Sequence, residues 1–424
     1  MYAKRLLYVL LDGLGDRPVA KLGRKTPLEA SYRPYMNAIA ARGSSGVVYT
    51  VGKGIAPESD VAVISMLGYD PVKTYTGRGP IEAFGSMMEF NNGNLAVRCN
   101  FATVDHEMGI VDRRCGRSLT TEEAKVLADA INREVKLESH PAEFEFMSTV
   151  GHRGVLVIRK NTGKLSGNIS NTDPAYQKME GLGLALKSFN NKIAKCEALD
   201  ETLEAKAAAD LLQEFTVKSH DVLEGHPLNK ARRDGGKPPA NAILSRDAGD
   251  RLPDFKKVNA LYGVEFASLV EMPVERGIAM LCGMDLVELP KPSGDLAVDY
   301  SRRAELASDL LESYGGVYIH IKGPDEPAHD GDCRSKMKSI ELIDAHFFRN
   351  LKIDYEKTVI IVTADHSTPC EMKAHSDDTV PLVAAGIGIE RDGTMEFGET
   401  ACSRGSLGTL NGQEVITKLF ARKQ

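Results

Sequence analysis

No long apolar run appears anywhere in the chain. Its 424 residues hold nothing approaching the roughly 20 consecutive apolar residues that cross a bilayer. The N-terminal run Leu6–Leu11 imitates a signal peptide only briefly, since Asp12 ends it and no small-residue cleavage site follows. It reads as a core strand, and no membrane partner is expected. Cysteine pairs are missing too. Cys99, Cys115, Cys196, Cys282, Cys333, Cys370 and Cys402 are scattered, odd in number and form no CxxC. That argues against a disulfide framework and for reduced thiols in a cytoplasmic protein. Neither sign of charge dominates: 53 Lys and Arg stand against 59 Asp and Glu, for a net charge of -6. A nucleic-acid partner is therefore not expected. The basic clusters DRRCGR (Asp112–Arg117) and KARRDGGK (Lys230–Lys237) are short enough to be solvated faces or small anion sites. There is no G-x-S-x-G elbow to suggest a Ser-His-Asp relay, no fixed-period repeat and no low-complexity segment.

What is present is a recurring strand ending. The stretches RLLYVLLDG, GVYIHIKGPD and KTVIIVTADH are apolar, β-branched runs of the kind buried in a parallel sheet. Each ends in an acid: Asp12, Asp325 and Asp365. Parallel strands bring their C-terminal ends to one rim, which is where open α/β sheets bind ligands. The first run lies at the N-terminus and the other two in the last hundred residues. This predicts one sheet built from both ends of an α/β chain, with the middle inserted as a second domain. In that middle, Val155–Pro174 has hairpin-like spacing, Asn191–Leu223 reads as a long helix, and DGGKPPAN (Asp234–Asn241) breaks it.

Further ligand types surround those aspartates. His329 follows Asp325 by four residues, so one helical turn would put both on the same face. His366 adjoins Asp365, and His375 lies nine residues beyond it. His320 and His346 lack such company and read as ordinary core or surface imidazoles. Carboxylates with imidazoles suit Mn or Zn, and three of each exceed what one four-coordinate ion needs. Two divalent metals is the economical reading, with a single structural ion as the alternative. Ser59, in APESDVAVISMLG, precedes an apolar helical run. It is either an ordinary N-cap or a nucleophile: a helix N-terminus favours a phosphate, and a divalent cation lowers a serine hydroxyl's pKa.

LLDGLGD, APESDVAVISMLGYDP, GPDEPAHDGD, VTADHSTP and KAHSDDTVP, in this order, resemble the alkaline phosphatase superfamily, and more closely its cofactor-independent phosphoglycerate mutases of archaeal type. The likeness extends through GIVDRRCGRSL, HRGVLVIR, NISNTDP and NAILSRDAG. It implies an alkaline-phosphatase-like, mostly parallel central sheet flanked by helices (residues 1–73 and 255–424), with a smaller α+β domain (74–254) inserted. It implies Ser59 as nucleophile, one metal on Asp325, His329 and His375, and another on Asp12, Ser59, Asp365 and His366. Mn is the first choice of metal, with Mg, Zn or Co as alternatives, and no 2,3-bisphosphoglycerate is needed. The small-molecule substrate would be 3- or 2-phosphoglycerate, interconverted through phosphoserine, with the inserted domain closing over it. Arginine suits a carboxylate or phosphate clamp. The candidates are Arg113, Arg114, Arg117, Arg153 and Arg246, with His152 and Asp173 nearby in motif. One departure is Thr379, where the family often has proline.

The core motifs encode phosphoryl capture and not the acceptor. A metal-dependent phosphatase or a phosphopentomutase therefore stands as a rival, with a non-catalytic metal-binding protein as a more distant one.

Overall fold

Three fully buried strands form the centre of the molecule's larger sheet: Arg5–Leu11, Gly316–Ile321 and Thr358–Ala364. Their side chains are mostly apolar on both faces, as in a parallel sheet covered by helices on both sides. A computed structural model describes residues 4–179, 182–186 and 188–420. The full sheet runs Asp285–Leu286, Phe266–Leu269, Gly316–Ile321, Arg5–Leu11, Thr358–Ala364, Val380–Gly386, Gly43–Tyr49, Gly408–Asn411. Only Val380–Gly386 runs against the others. The fold is mixed α/β with a large, mostly parallel sheet.

The register sets which strand ends lie together. Leu11 lies opposite both Ile321 and Ala364. The next residue on each strand is Asp12, Lys322 and Asp365, so these three leave the sheet at one level. Asp325 sits slightly differently from the expectation. Its strand stops at Ile321, and Asp325 instead opens the helix Asp325–Asp330. That helix supplies the single turn anticipated for the Asp325–His329 pair. The helix Ser59–Met66 is buried from Asp60 onward.

The chain divides into two compact units, one made of the residues through Thr74 with those from Phe255 on, the other of Tyr75–Asp254. The second has its own antiparallel sheet. Leu95–Val104 is central, with Arg153–Lys160 on one side and Ala242–Gly249 on the other, and Ala142–Ser148 beyond Arg153–Lys160. Val97, Cys99 and Phe101 point into a core with residues of the helices Thr121–Glu134 and Leu203–Glu224. Ala96 points the other way, into a small cluster with Ala83 of the helix Arg78–Gly85.

Two local expectations need correction. The strand within Val155–Pro174 is real, but its hairpin partner is Ala142–Ser148, which precedes it in the chain. Residues 161–174 make turns and bends, and the next hairpin is Tyr176–Met179 with Leu182–Ala185. The long helix starts at Leu203, because the Thr202 side chain accepts the Ala205 N–H and caps it there. The residues from Asn191 to Glu201 are not helical.

Candidate active site

In the first unit the groups named from sequence converge. Ser59 is not an N-cap: Glu58 holds that position, without a side-chain cap, and Ser59 is the first helical residue. Its Oγ lies 3.1 Å from His366 Nε2. The same nitrogen is 3.3 Å from Asp12 Oδ1 and 3.4 Å from Asp365 Oδ2. Beside this group, His329 Nε2 is 3.2 Å from His375 Nε2 and 3.5 Å from Asp325 Oδ2, and His375 Nε2 is 3.7 Å from Asp325 Oδ1.

The outer atoms of each ring fix what the inner atoms present. His375 Nδ1 lies 2.7 Å from the Pro57 carbonyl, and His329 Nδ1 lies 3.0 Å from that of Lys373. A carbonyl only accepts, so both Nδ1 atoms donate and both Nε2 atoms carry lone pairs in the neutral rings. The Thr368 hydroxyl donates to Asp325 Oδ1 at 2.7 Å, so its lone pair accepts from His366 Nδ1 at 3.0 Å. Three imidazoles thus turn their second nitrogens inward among carboxylates. Asp365 Oδ1 accepts the Gly13 and His366 N–H groups, while Asp365 Oδ2 and Asp12 Oδ1 are buried facing imidazole nitrogens at 3.3–3.4 Å without a hydrogen bond of good geometry. Inward lone pairs beside such carboxylate oxygens are a donor set for cations, and the mix of nitrogen and oxygen fits divalent ions. Two overlapping groups bring ligand-type atoms within 4.8 Å of one another, close enough to share a cation: Asp12, Asp365 and His366, and Asp325, His366 and His375. Without a cation, burial works against the His366 imidazolium, but the surrounding carboxylates, Asp365 foremost, push it up to about 9.

Sequence reading missed three residues here. His320, set aside as an ordinary imidazole, is fully buried between Glu275 Oε1 at 3.0 Å and Asp365 Oδ2 at 3.3 Å. Lys322 Nζ lies 2.8 Å from Asp12 Oδ2 and 2.6 Å from Glu275 Oε1. The available signal was two basic residues, two apart, at the end of an otherwise apolar strand. Glu275 offered none, since only the fold brings it there.

The second unit carries the arginines. The Arg113 guanidinium forks onto the buried Asp173 carboxylate and lies over the Tyr176 ring. Asp173 is thereby committed to orienting Arg113. Arg246 stacks on the same ring, its guanidinium carbon 3.5 Å from the Tyr176 centroid. Arg114 and Arg117 sit in a turn where Cys115, Gly116 and Arg117 all have positive φ (51°, 62° and 52°). Two non-glycine residues held there indicate a strained, over-determined loop of the kind common at binding sites. Burial first, and then the Arg153, Arg114, Arg98 and Arg117 charges, push His152 down to about 3, so it is neutral among cations.

Arg98 was not anticipated. It pairs across the sheet with Arg246, and Asn100 pairs with Arg153. Alternation places all four on the face opposite Val97 and Cys99. Arg78 binds Glu82 at 2.6 Å and Arg98 approaches the same carboxylate at 3.8 Å. Burial and the Arg246 and Arg78 charges lower the Arg98 guanidinium to about 10. Polar residues at alternate positions of LAVRCNFATV were the sequence clue to this face.

A model of the 2,3-bisphosphoglycerate-independent phosphoglycerate mutase family matches residues 40–229. A 2,3-bisphosphoglycerate-independent phosphoglycerate mutase of Aeropyrum pernix is 43% identical over 98% of this chain and 99% of its own length. The chain belongs to this family. Its member from Thermococcus kodakarensis is 39% identical over 98% of this chain and 96% of its own. The structure is similar to that of a cofactor-independent phosphoglycerate mutase from Thermoplasma acidophilum, with a TM-score of 0.62 and 31% identity over 99% of each chain. It is also similar to a Pyrococcus horikoshii protein, with a TM-score of 0.78 and 30% identity over 100% of this chain and 99% of that one. Family membership places the two residue sets, one on each unit, in an enzyme that works without 2,3-bisphosphoglycerate. No helix among the described residues is long and apolar enough to cross a membrane.

Proposed function

We propose that the phosphoglycerate mutase reaction of this family member proceeds through Ser59 as nucleophile and a phosphoserine intermediate. The observation that carries the reading is the placing of Ser59 Oγ, at a helix N-terminus, 3.1 Å from a histidine nitrogen that also faces Asp12 and Asp365. Divalent ions, Mn first and Mg, Zn or Co as alternatives, would be held by Asp12, Ser59, Asp365 and His366 and by Asp325, His329 and His375; bound there, they supply Lewis acidity for the Ser59 hydroxyl and neutralise phosphoryl oxygens.

The residues then divide the work. Ser59 Oγ bonds to phosphorus as the bond from phosphorus to the glycerate oxygen breaks, and the departing oxygen takes up a proton. The positive end of the helix Ser59–Met66 favours the anionic phosphoryl group at this point. Glycerate turns, its other hydroxyl attacks the phosphoserine, and Ser59 recovers its proton. Glycerate must stay bound while it turns, and water must be kept from the phosphoserine. Arg113, Arg114, Arg117, Arg153 and Arg246 hold the carboxylate and phosphate in this reading. Asp173 orients Arg113, and His152 is a neutral hydrogen-bonding neighbour.

The test is turnover of 3-phosphoglycerate by Mn-loaded protein without added 2,3-bisphosphoglycerate, following 2-phosphoglycerate and free phosphate together, with Ser59→Ala as control. Isomerisation without free phosphate, lost in the variant, is expected. Free phosphate at the rate of isomerisation would move the protein to the phosphatases. Unchanged activity in Ser59→Ala would end the nucleophile assignment.

A further inference from the structure

Behind the Ser59 side of the site lies a buried fork. Its stem is Glu275, which is 1% exposed. Glu275 Oε2 accepts the Met272 N–H in a capping box at the start of the helix Pro273–Leu281. The other oxygen, Oε1, is shared by His320 Nδ1 at 3.0 Å and Lys322 Nζ at 2.6 Å. Residues two apart at a strand end point to the same side, so both basic side chains reach the one carboxylate. Each arm then continues to a different acid of the site. His320 Nε2 lies 3.3 Å from Asp365 Oδ2, and Lys322 Nζ lies 2.8 Å from Asp12 Oδ2.

From this geometry we infer that Glu275 is a positioning residue that sets the cation affinity of the Asp12–Asp365–His366 group by restraining Lys322 and His320. The inference rests on the proposal that this group holds a divalent ion. Its physical basis is competition. A lysine ammonium 2.8 Å from Asp12 competes with a metal for that carboxylate. The Glu275 oxygen pulls the ammonium back, and its charge offsets the repulsion that the Lys322 ammonium exerts on an incoming cation. The fork's ion pairs run to Asp12 and Asp365, whereas Asp325 pairs with His329 and His375, so the effect falls on one site of the two. Outer partners of metal ligands commonly change affinity by about 10- to 100-fold.

The experiment is Mn2+ titration, with the free ion followed by its electron paramagnetic resonance signal. It is done in the full chain carrying Asp325→Asn, so that the Ser59-side site is the one measured. Adding Glu275→Gln is expected to weaken binding about tenfold or more. Adding Lys322→Met to that variant is expected to recover most of the loss, because the competing ammonium is gone. Lys322→Met alone is expected to tighten binding severalfold, and it tests the competition even if Glu275→Gln does not fold. Unchanged affinity in Glu275→Gln, or a double variant no tighter than Glu275→Gln, overturns the inference, since a merely structural carboxylate gives no rescue. Absence of Mn2+ binding in the Asp325→Asn parent would instead defeat the metal assignment on which it rests.

Discussion

At the scale of single residues, identity and charge can be separated. Ser59→Ala removes one oxygen and leaves Asp12, Asp365 and His366 in place. Mutase activity is expected to fall by at least about a thousandfold, the scale seen when a nucleophile is removed, while bound metal measured by elemental analysis persists. Retained activity would mean that the phosphoryl group never visits Ser59. Arg246→Lys keeps the charge but loses the planar fork stacked 3.5 Å over the Tyr176 ring. A charge-assisted hydrogen bond contributes about 1.5–3 kcal/mol, so KM for phosphoglycerate should rise about 10- to 100-fold. An unchanged KM would place Arg246 outside the binding surface.

Elements impose a different kind of constraint. Gly13 follows the strand Arg5–Leu11 with φ of +60°, and a Cβ there would sit 2.6 Å from Asp325 Oδ1 and 2.8 Å from Thr368 Oγ1. Gly13→Ala therefore pushes on Asp325, a proposed ligand, as well as straining the turn. The left-handed conformation alone costs about 1–2 kcal/mol. The expected result is weaker metal binding together with a lower denaturation midpoint; loss of stability with intact metal affinity would show that the turn yields without moving Asp325. A second element-scale prediction concerns Glu399. Its carboxylate accepts the Asp16 N–H at 3.2 Å and the Thr26 hydroxyl at 2.6 Å, tying the loop after the first strand to the helix Glu399–Cys402. Burial pushes this carboxyl up to about 7 from an ordinary 4.5. A raised carboxyl contributes stability that is complete below its unfolded value and lost as pH rises through the folded one. Stability tied to Glu399 should thus decline between about 4.5 and about 7, and Glu399→Gln should flatten the urea midpoint across that window. Identical pH profiles for the two proteins would contradict this.

For the whole molecule the proposed metals supply the prediction. Ions that bind the folded chain stabilise it by mass action, about 2.7 kcal/mol when present at 100 times Kd. Chelation is expected to abolish mutase activity and lower Tm, and Mn2+ is expected to restore both. Because every proposed ligand lies in the unit made of the two chain ends, amide exchange should rise there on chelation and stay constant in Tyr75–Asp254. Equal change in both units would mean that the metals do not act locally. The same division explains how much of the molecule is legible in its sequence. Asp12, Ser59, Asp325, His329, Asp365, His366 and His375 lie in short motifs whose apolar strands and turns announce themselves. Residues 191–201 read as helix because alanine and charge spacing outweigh the cap at Thr202, and Val155–Pro174 misleads because a strand's periodicity does not name its partner.

By itself, then, the sequence determined the burial of three apolar strands, their acidic endings and the supply of serine and histidine beside them, since hydrophobic period and turn chemistry are local properties. Only the tertiary structure decided the register that sets Asp12, Lys322 and Asp365 at one level, and the inward turn of the histidine nitrogens. It also decided the placing of Glu275 against Lys322 and of Arg98 beside Arg246. These depend on which distant segments pair, and pairing follows from the packing of the whole core and not from any one stretch of it.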